Sequence, residues 1–179
     1  MEIAPERASG FTAKPLVRAR HAMITTAHPL ATDAGYAMLR QGGSALDAAI
    51  AAQLVLGLTE PQSSGIGGGA FLLLYDGTRV VAFDGRETAP MAARPERFLA
   101  ASGQPMAFYD AVLGGHAVGV PGVLKMLDMA HGQYGRLPWA ALFQPAIRLA
   151  SAGFLISPRL HTLVATDRYL PQTETAPHY

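Results

Sequence analysis

Ile66-Gly67-Gly68-Gly69-Ala70-Phe71-Leu72-Leu73-Leu74-Tyr75-Asp76-Gly77-Thr78-Arg79-Val80-Val81-Ala82-Phe83-Asp84-Gly85-Arg86-Glu87-Thr88-Ala89-Pro90 is the stretch around which the rest of the chain is organised. A glycine run lets the backbone pack closely or take positive φ. The apolar run Phe71–Tyr75 that follows has the length and bulk of a buried strand. Asp76-Gly77 is the strongest short hairpin signal. The spacing therefore predicts Phe71–Tyr75 antiparallel to Val80–Phe83, across a turn of two residues or slightly more. The return strand ends in a charge cluster, Asp84, Arg86 and Glu87, closed by Ala89-Pro90. An arginine held at the exit of a core hairpin is well placed to grip a carboxylate.

Working outward, helices flank this hairpin. Upstream, Ala22–Thr26 reads as a short strand, and His28-Pro29 opens a helix to about Arg40, stopped by Gly42-Gly43. Ser44 with Asp47 three residues on is close to a capping box. From Ala45 to Leu58 nearly every residue is apolar and many are alanine, the pattern of a helix buried on most sides. Ala49 and Ala52 are expected to face close neighbours there. Glu60-Pro61 ends it. Downstream, Ala92–Met106 reads as a helix-and-loop connection and Gly114–Val120 as an extended piece. A helix is expected over Gly122–Ala130 with Gly132 as its cap, then two short ones starting at Leu137-Pro138-Trp139 and Gln144-Pro145, and a last one at Ser157-Pro158. Residues 1–20 read as a disordered or extended lead-in, 21–170 as the folded part and 171–179 as an irregular end. Helix–helix–hairpin–helices is not a βαβ series. It is α+β, layered about an antiparallel sheet, with too few strands for a complete one.

Composition narrows the function. Of 179 residues, half are apolar and 15% charged, against a usual charged fraction of about 25%. Such a chain buries much of its surface or leaves apolar surface for a partner. Lys and Arg number 14, Asp and Glu 13, so no basic stripe suits a phosphate backbone and nucleic-acid binding is not expected. The absence of cysteine removes disulfides, thiol catalysis and thiolate metal sites. No signal-peptide core or run of about 18 apolar residues is visible. A cytoplasmic location is expected for the sequence as written, or a periplasmic or secreted one if a leader has been removed.

Several motifs carry a bland reading. Gly65, Gly67 and Ala70 fit a G-x-G-x-x-A dinucleotide loop, but they follow a helix and precede a strand, the reverse of that fingerprint. A tight turn into a core strand is the simpler account. Thr25-Thr26-Ala27-His28 holds hydroxyls near a base, and adjacency alone does not make a nucleophile. Ser63-Ser64 lacks a nucleophile elbow. The six histidines show no i,i+4 pair or H-E-x-x-H, so no metal or cofactor is indicated. Trp139 and the methionines read as core. Spacing alone leaves Arg86 open between a carboxylate grip and a salt bridge with Asp84 or Glu87.

Several motifs in one order resemble the γ-glutamyltranspeptidase family over about residues 21–158. They are His28-Pro29-Leu30-Ala31, Gln41-Gly42-Gly43-Ser44-Ala45-Leu46-Asp47-Ala48-Ala49, Glu60-Pro61, Gly65-Ile66-Gly67-Gly68-Gly69, Asp84-Gly85-Arg86-Glu87-Thr88-Ala89-Pro90, Val120-Pro121-Gly122, Tyr134-Gly135, Leu137-Pro138-Trp139 and Pro145-Ala146-Ile147. Ser44 stands where the family usually has asparagine, and serine caps equally well. The resemblance implies an N-terminal-nucleophile hydrolase αββα sandwich, of which this chain supplies only part. It implies self-cleavage into two subunits and a threonine nucleophile, at the start of the small subunit, whose own amine is the base. That threonine motif is absent here, so the chain alone is expected to be inactive, with the small catalytic subunit as its partner. The implied substrate is a γ-glutamyl compound such as glutathione. The substrate-carboxylate role falls on Arg86, with Asp84 and Glu87 as orienting residues. A cephalosporin-type acylase and a non-catalytic partner-binding domain are the alternatives.

Overall fold

Ser44 and Asp47 close a reciprocal capping box: the Ser44 side chain accepts from Asp47 N, and Asp47 Oδ2 accepts from Ser44 N at 2.7 Å. This starts the central helix. The computed structural model describes residues 15–174. In chain order the elements are α1 (Pro29–Arg40), α2 (Ala45–Thr59), β1 (Ala70–Tyr75), β2 (Val80–Gly85), α3 (Phe108–Val112), α4 (Val123–Tyr134), α5 (Trp139–Ala152) and α6 (Pro158–Thr166). Short 3-10 turns lie at Pro95–Phe98, Gly114–Ala117 and Leu170–Gln172.

The central helix α2 packs against α1, α4 and α5, and α4 carries β2. Leu46, Ala48, Ile50, Ala51 and Leu54 of α2 meet Val123, Met126, Leu127 and Ala130 of α4, with Leu142 of α5. A second cluster joins Ala31 and Ala34 of α1 to Ala52 and Val55 of α2. The alanines let α1 and α2 approach closely. Burying a side chain such as Ile50 or Leu142 contributes about 1.5–3 kcal/mol.

The hairpin forms as the sequence predicts. The strands are antiparallel, with Phe71 opposite Asp84, Leu73 opposite Ala82 and Tyr75 opposite Val80. The turn spans Asp76–Arg79, where Asp76 N donates to Arg79 O. Gly77 takes φ +100°, which a side chain would resist. The expectation of a wholly buried strand needs correcting. Leu72, Leu74 and Phe83 pack on the helices, whereas Phe71, Leu73 and Tyr75 are 68%, 72% and 68% exposed. A strand's side chains alternate between faces, and among the described residues only one face has a layer against it.

Other expectations also change. Ala22–Thr26 forms no strand: Ile24 sits against Gly35, and Thr26 bonds forward to His28 O and Thr32. Ala49 is exposed while Ala52 is buried, because α2 keeps one stripe uncovered. Ala92–Met106 holds one 3-10 turn and no α-helix, while α3 forms just beyond it, and Gly114–Val120 starts as a 3-10 turn. Helix α4 runs through Gly132 to a cap at Gly135, held by packing of Ala130 and Tyr134. The two short helices are one, α5, passing through buried Pro145. Packing of its inner face offsets the one backbone hydrogen bond that proline removes. Met38 and Met126 are core, whereas Met23, Met91 and Met129 are exposed and Trp139 is half-buried. Residues 1–14 of the expected lead-in, and 175–179 of the irregular end, lie outside the described residues. Among the described residues no helix is long and apolar enough to cross a membrane.

Candidate functional site

Arg86 is the first residue after β2, and its side chain is 65% exposed. The three charged residues expected to act together do not act alike. Asp84 Oδ1 accepts from the backbone N of Arg86 at 2.9 Å. It therefore fixes the chain as it leaves the strand, by bonding the backbone of Arg86. Glu87 is the ion-pair partner, with Oε2 3.6 Å from Arg86 Nε. That length permits Coulomb attraction without a hydrogen bond.

Close glycines fix where Glu87 lies. A Cβ on Gly69 would come within 2.5 Å of Glu87 Oε2 and 2.8 Å of Arg86 Cα. A Cβ on Gly119 would come within 2.7 Å of Glu87 Cβ. Only bare backbone fits on both sides of this side chain. The segment around Gly119 is held by a two-bond bridge: Thr88 N donates to Val120 O and Val120 N to Thr88 O. Gly68 O in turn accepts from Gly122 N and Val123 N, which ties the glycine run to the start of α4. Glu87 Oε2 ends up buried with no hydrogen-bond partner.

An open cleft of about 420 Å³ lies beside Glu87. Its floor is Gly67, Gly68, Gly69 and Ala70, and its walls include Gln53, Ser63 and Ser64. Gln53 Nε2 donates to Ser64 Oγ at 2.6 Å. Sequence reading passed over this cleft, taking the glycines and serines as turn. A signal was present: between Ala45 and Leu58, Asp47 and Gln53 are the only polar side chains. Each of them has a job, Asp47 at the cap and Gln53 at the cleft wall.

Thr25-Thr26-Ala27-His28 keeps its plain reading. Thr26 Oγ1 donates to His28 O at 2.8 Å, and His28 Nδ1 accepts from Leu30 N at 3.2 Å as the cap of α1. Among the described residues no group of three His, Cys, Asp or Glu could hold a metal ion. Chemically, the site presents a largely exposed guanidinium, a carboxylate paired with it and a polar cleft alongside.

Helices layered on one face of an antiparallel hairpin, with its other face apolar and uncovered, are part of an N-terminal-nucleophile hydrolase sandwich. The γ-glutamyltranspeptidase of Helicobacter pylori superposes with a TM-score of 0.85 at 31% identity, over 92% of this chain and 48% of that one. The cephalosporin acylase of Bacillus halodurans gives 0.77 at 31% identity, over 97% of this chain and 32% of that one. The glutathione hydrolase proenzyme of Bacillus subtilis strain 168 is 42% identical over 165 residues, 85% of this chain and 28% of that protein. The gamma-glutamyltranspeptidase family model matches residues 31–177. The chain belongs to the gamma-glutamyltranspeptidase family. It spans 28% of the length of the Bacillus subtilis relative.

Proposed function

We propose that this chain supplies the carboxylate-reading part of an enzyme that transfers the γ-glutamyl group of glutathione, or a related amide, to water or an amine. The threonine nucleophile lies outside these 179 residues, on the small catalytic subunit of the same precursor. The supporting observation is the exposed Arg86 guanidinium at a rigid strand exit, with its backbone tied by Asp84 and its Nε facing Glu87. A γ-glutamyl substrate carries its α-carboxylate several bonds from the scissile amide. Arginine's planar fork reads such a group through two parallel hydrogen bonds, and lysine would keep the charge but lose the fork. Asp84 orients the guanidinium through the backbone, and Glu87 does so directly.

The test uses the full precursor. Arg86→Lys and Arg86→Ala should both process into two subunits, because chain cleavage does not use the substrate carboxylate. Both should lose turnover of a γ-glutamyl anilide mainly through KM, at a cost of about 2–5 kcal/mol if the pair is desolvated. Wild-type KM and kcat in Arg86→Ala would return Arg86 to a plain surface ion pair. The fit of the cephalosporin acylase over 97% of the chain supports a second reading, in which the acyl group ends in a carboxylate and lacks an α-amine. Turnover of a glutaryl anilide in preference to a γ-glutamyl anilide would select it.

A further inference from the structure

Two Asp-Gly pairs occur in this chain, Asp76-Gly77 and Asp84-Gly85, and there is no asparagine. An aspartyl residue before glycine is the one most open to ring closure, because glycine puts no side chain beside its own nitrogen. At the first pair, Gly77 N loses its proton to water and bonds to Asp76 Cγ. The Cγ–O bond of the protonated carboxyl breaks and that oxygen leaves as water, giving a five-membered succinimide. Water then adds at one of the two imide carbonyls. Opening at the former backbone carbonyl leaves isoaspartate, with the main chain routed through Cγ and the mass unchanged. One water is lost and one gained, and nothing is oxidised or reduced.

The fold gives the two pairs opposite surroundings. Asp76-Gly77 sits at the exposed hairpin tip, where Gly77 takes φ +100° and a Cβ on it would meet nothing within 4 Å. The backbone there has room to turn and close the ring. Gly85 is buried at the end of β2, opposite Ala70. A Cβ on it would come within 2.6 Å of Met126 Cβ, and a Cβ on Gly122 within 2.5 Å of Gly85 O. Asp84 Oδ1 accepts from Arg86 N at 2.9 Å, so the chain is held on both sides of Gly85. Ring closure at Asp84 would require the seam between β2 and α4 to open.

The tip carries a restraint of its own. Asp76 Oδ1 accepts from Thr78 Oγ1 at 2.7 Å, from Thr78 N at 2.9 Å and from Arg79 N at 3.0 Å. Arg79 Nε lies 3.6 Å from Oδ2. These donors favour the ionised carboxylate, whereas ring closure needs it protonated and turned toward Gly77 N. The Thr78 hydroxyl makes the shortest of the three bonds, and a substitution can remove it without touching the backbone. We propose that Asp76-Gly77 is a site of spontaneous isomerisation in the folded protein, that the Thr78 hydroxyl slows the reaction, and that packing closes Asp84-Gly85 to it. Isoaspartate at position 76 adds one backbone atom to the loop beside the Tyr75–Val80 pair and takes the carboxylate away from Thr78 and Arg79.

The full precursor is aged in warm, mildly acidic buffer, once folded and once unfolded in urea. Peptide mapping separates the isoaspartyl peptides, and labelling by an isoaspartyl methyltransferase identifies them. The folded protein should accumulate isoaspartate at position 76 and none at position 84, while urea should bring the two sites to similar rates. Thr78→Val should raise the rate at position 76 in the folded protein about fivefold, the factor that one hydrogen bond is worth, and leave the rate in urea unchanged. Thr78→Ser keeps the hydroxyl and should match wild type. Asp76→Glu should abolish the signal at position 76, because the larger ring closes far more slowly. Absence of isoaspartate at position 76 in the folded protein, or equal rates at 76 and 84 there, would overturn the proposal. So would a Thr78→Val rate equal to wild type, or an acceleration that appears equally in urea or in Thr78→Ser.

Discussion

Asp47 provides the sharpest test of how this fold is held together. It is fully buried, and its Oδ2 accepts three backbone hydrogen bonds: from Ser44 N at 2.7 Å, Arg136 N at 3.0 Å and Leu137 N at 3.2 Å. The first starts α2, and the other two fix the α4–α5 connection onto it. His131 of α4 completes the group. Its Nε2 lies 2.9 Å from Leu137 O, which can only accept, so Nε2 carries the hydrogen, and Asp47 Oδ1 lies 3.5 Å from the same nitrogen. Asp47→Ala would strand three partly buried N–H groups, at about 1–3 kcal/mol each before water entry and relaxation. Relief of the buried charge and water entry offset part of that, leaving an expected net loss of about 3–5 kcal/mol. Asp47→Asn keeps an acceptor oxygen but weakens all three bonds, since charge-assisted bonds are about twice as strong as neutral ones. Its amide would also point hydrogens at the protonated Nε2 of His131. A loss of about 1–3 kcal/mol is expected for it. Trp139 reports directly, being the only tryptophan and lying 5.1 Å from His131 between ring centroids. Urea unfolding followed by its fluorescence, with m-values compared, gives both numbers. If Asp47→Ala stays within about 0.5 kcal/mol of wild type at unchanged m, this carboxylate is not the tie described here.

Gly85→Ala should cost about 1–3 kcal/mol, because its Cβ would stand 2.6 Å from Met126 Cβ and 3.2 Å from Ala70 O at the hairpin–α4 seam; the same urea titration measures it. Ala52→Leu should lose about 1–3 kcal/mol by overpacking against α1, while exposed Ala49→Leu should stay within about 0.5 kcal/mol. Thermal melts of the pair that show equal losses would contradict the packing of α2. Asp76 has its pKa lowered from 3.8 to about 2, first by the Thr78 hydroxyl and then by the backbone N–H groups of Arg79 and Thr78. Its contribution to the turn is present above pH 4 and is lost as pH falls through about 2. Carboxyl NMR titration reads this directly, and Asp76→Asn should remove that step from the acid profile.

The sequence by itself determined the local elements whose signals are short-range. The Ser44–Asp47 box, the His28-Pro29 start and the Ser157 cap act within three residues, and each is present where the chain says. The hairpin and the exit position of Arg86 follow from one alternation and one turn. Family membership was legible for a similar reason, because ordered motifs survive without any knowledge of packing. Tertiary structure decided the rest. Whether Pro145 ends a helix or sits inside one depends on what its inner face touches, and Leu142 in the core settles that for α5. Whether Phe71 and Leu73 are core or surface depends on how many layers meet the sheet, which an apolar run cannot state. Asp47 reached Arg136 and Leu137 across about ninety residues, and Glu87 met Gly69 and Gly119 from three separate segments. Sequence spacing carries no information on such meetings, because they are set by how helices and strands stack once the core has formed.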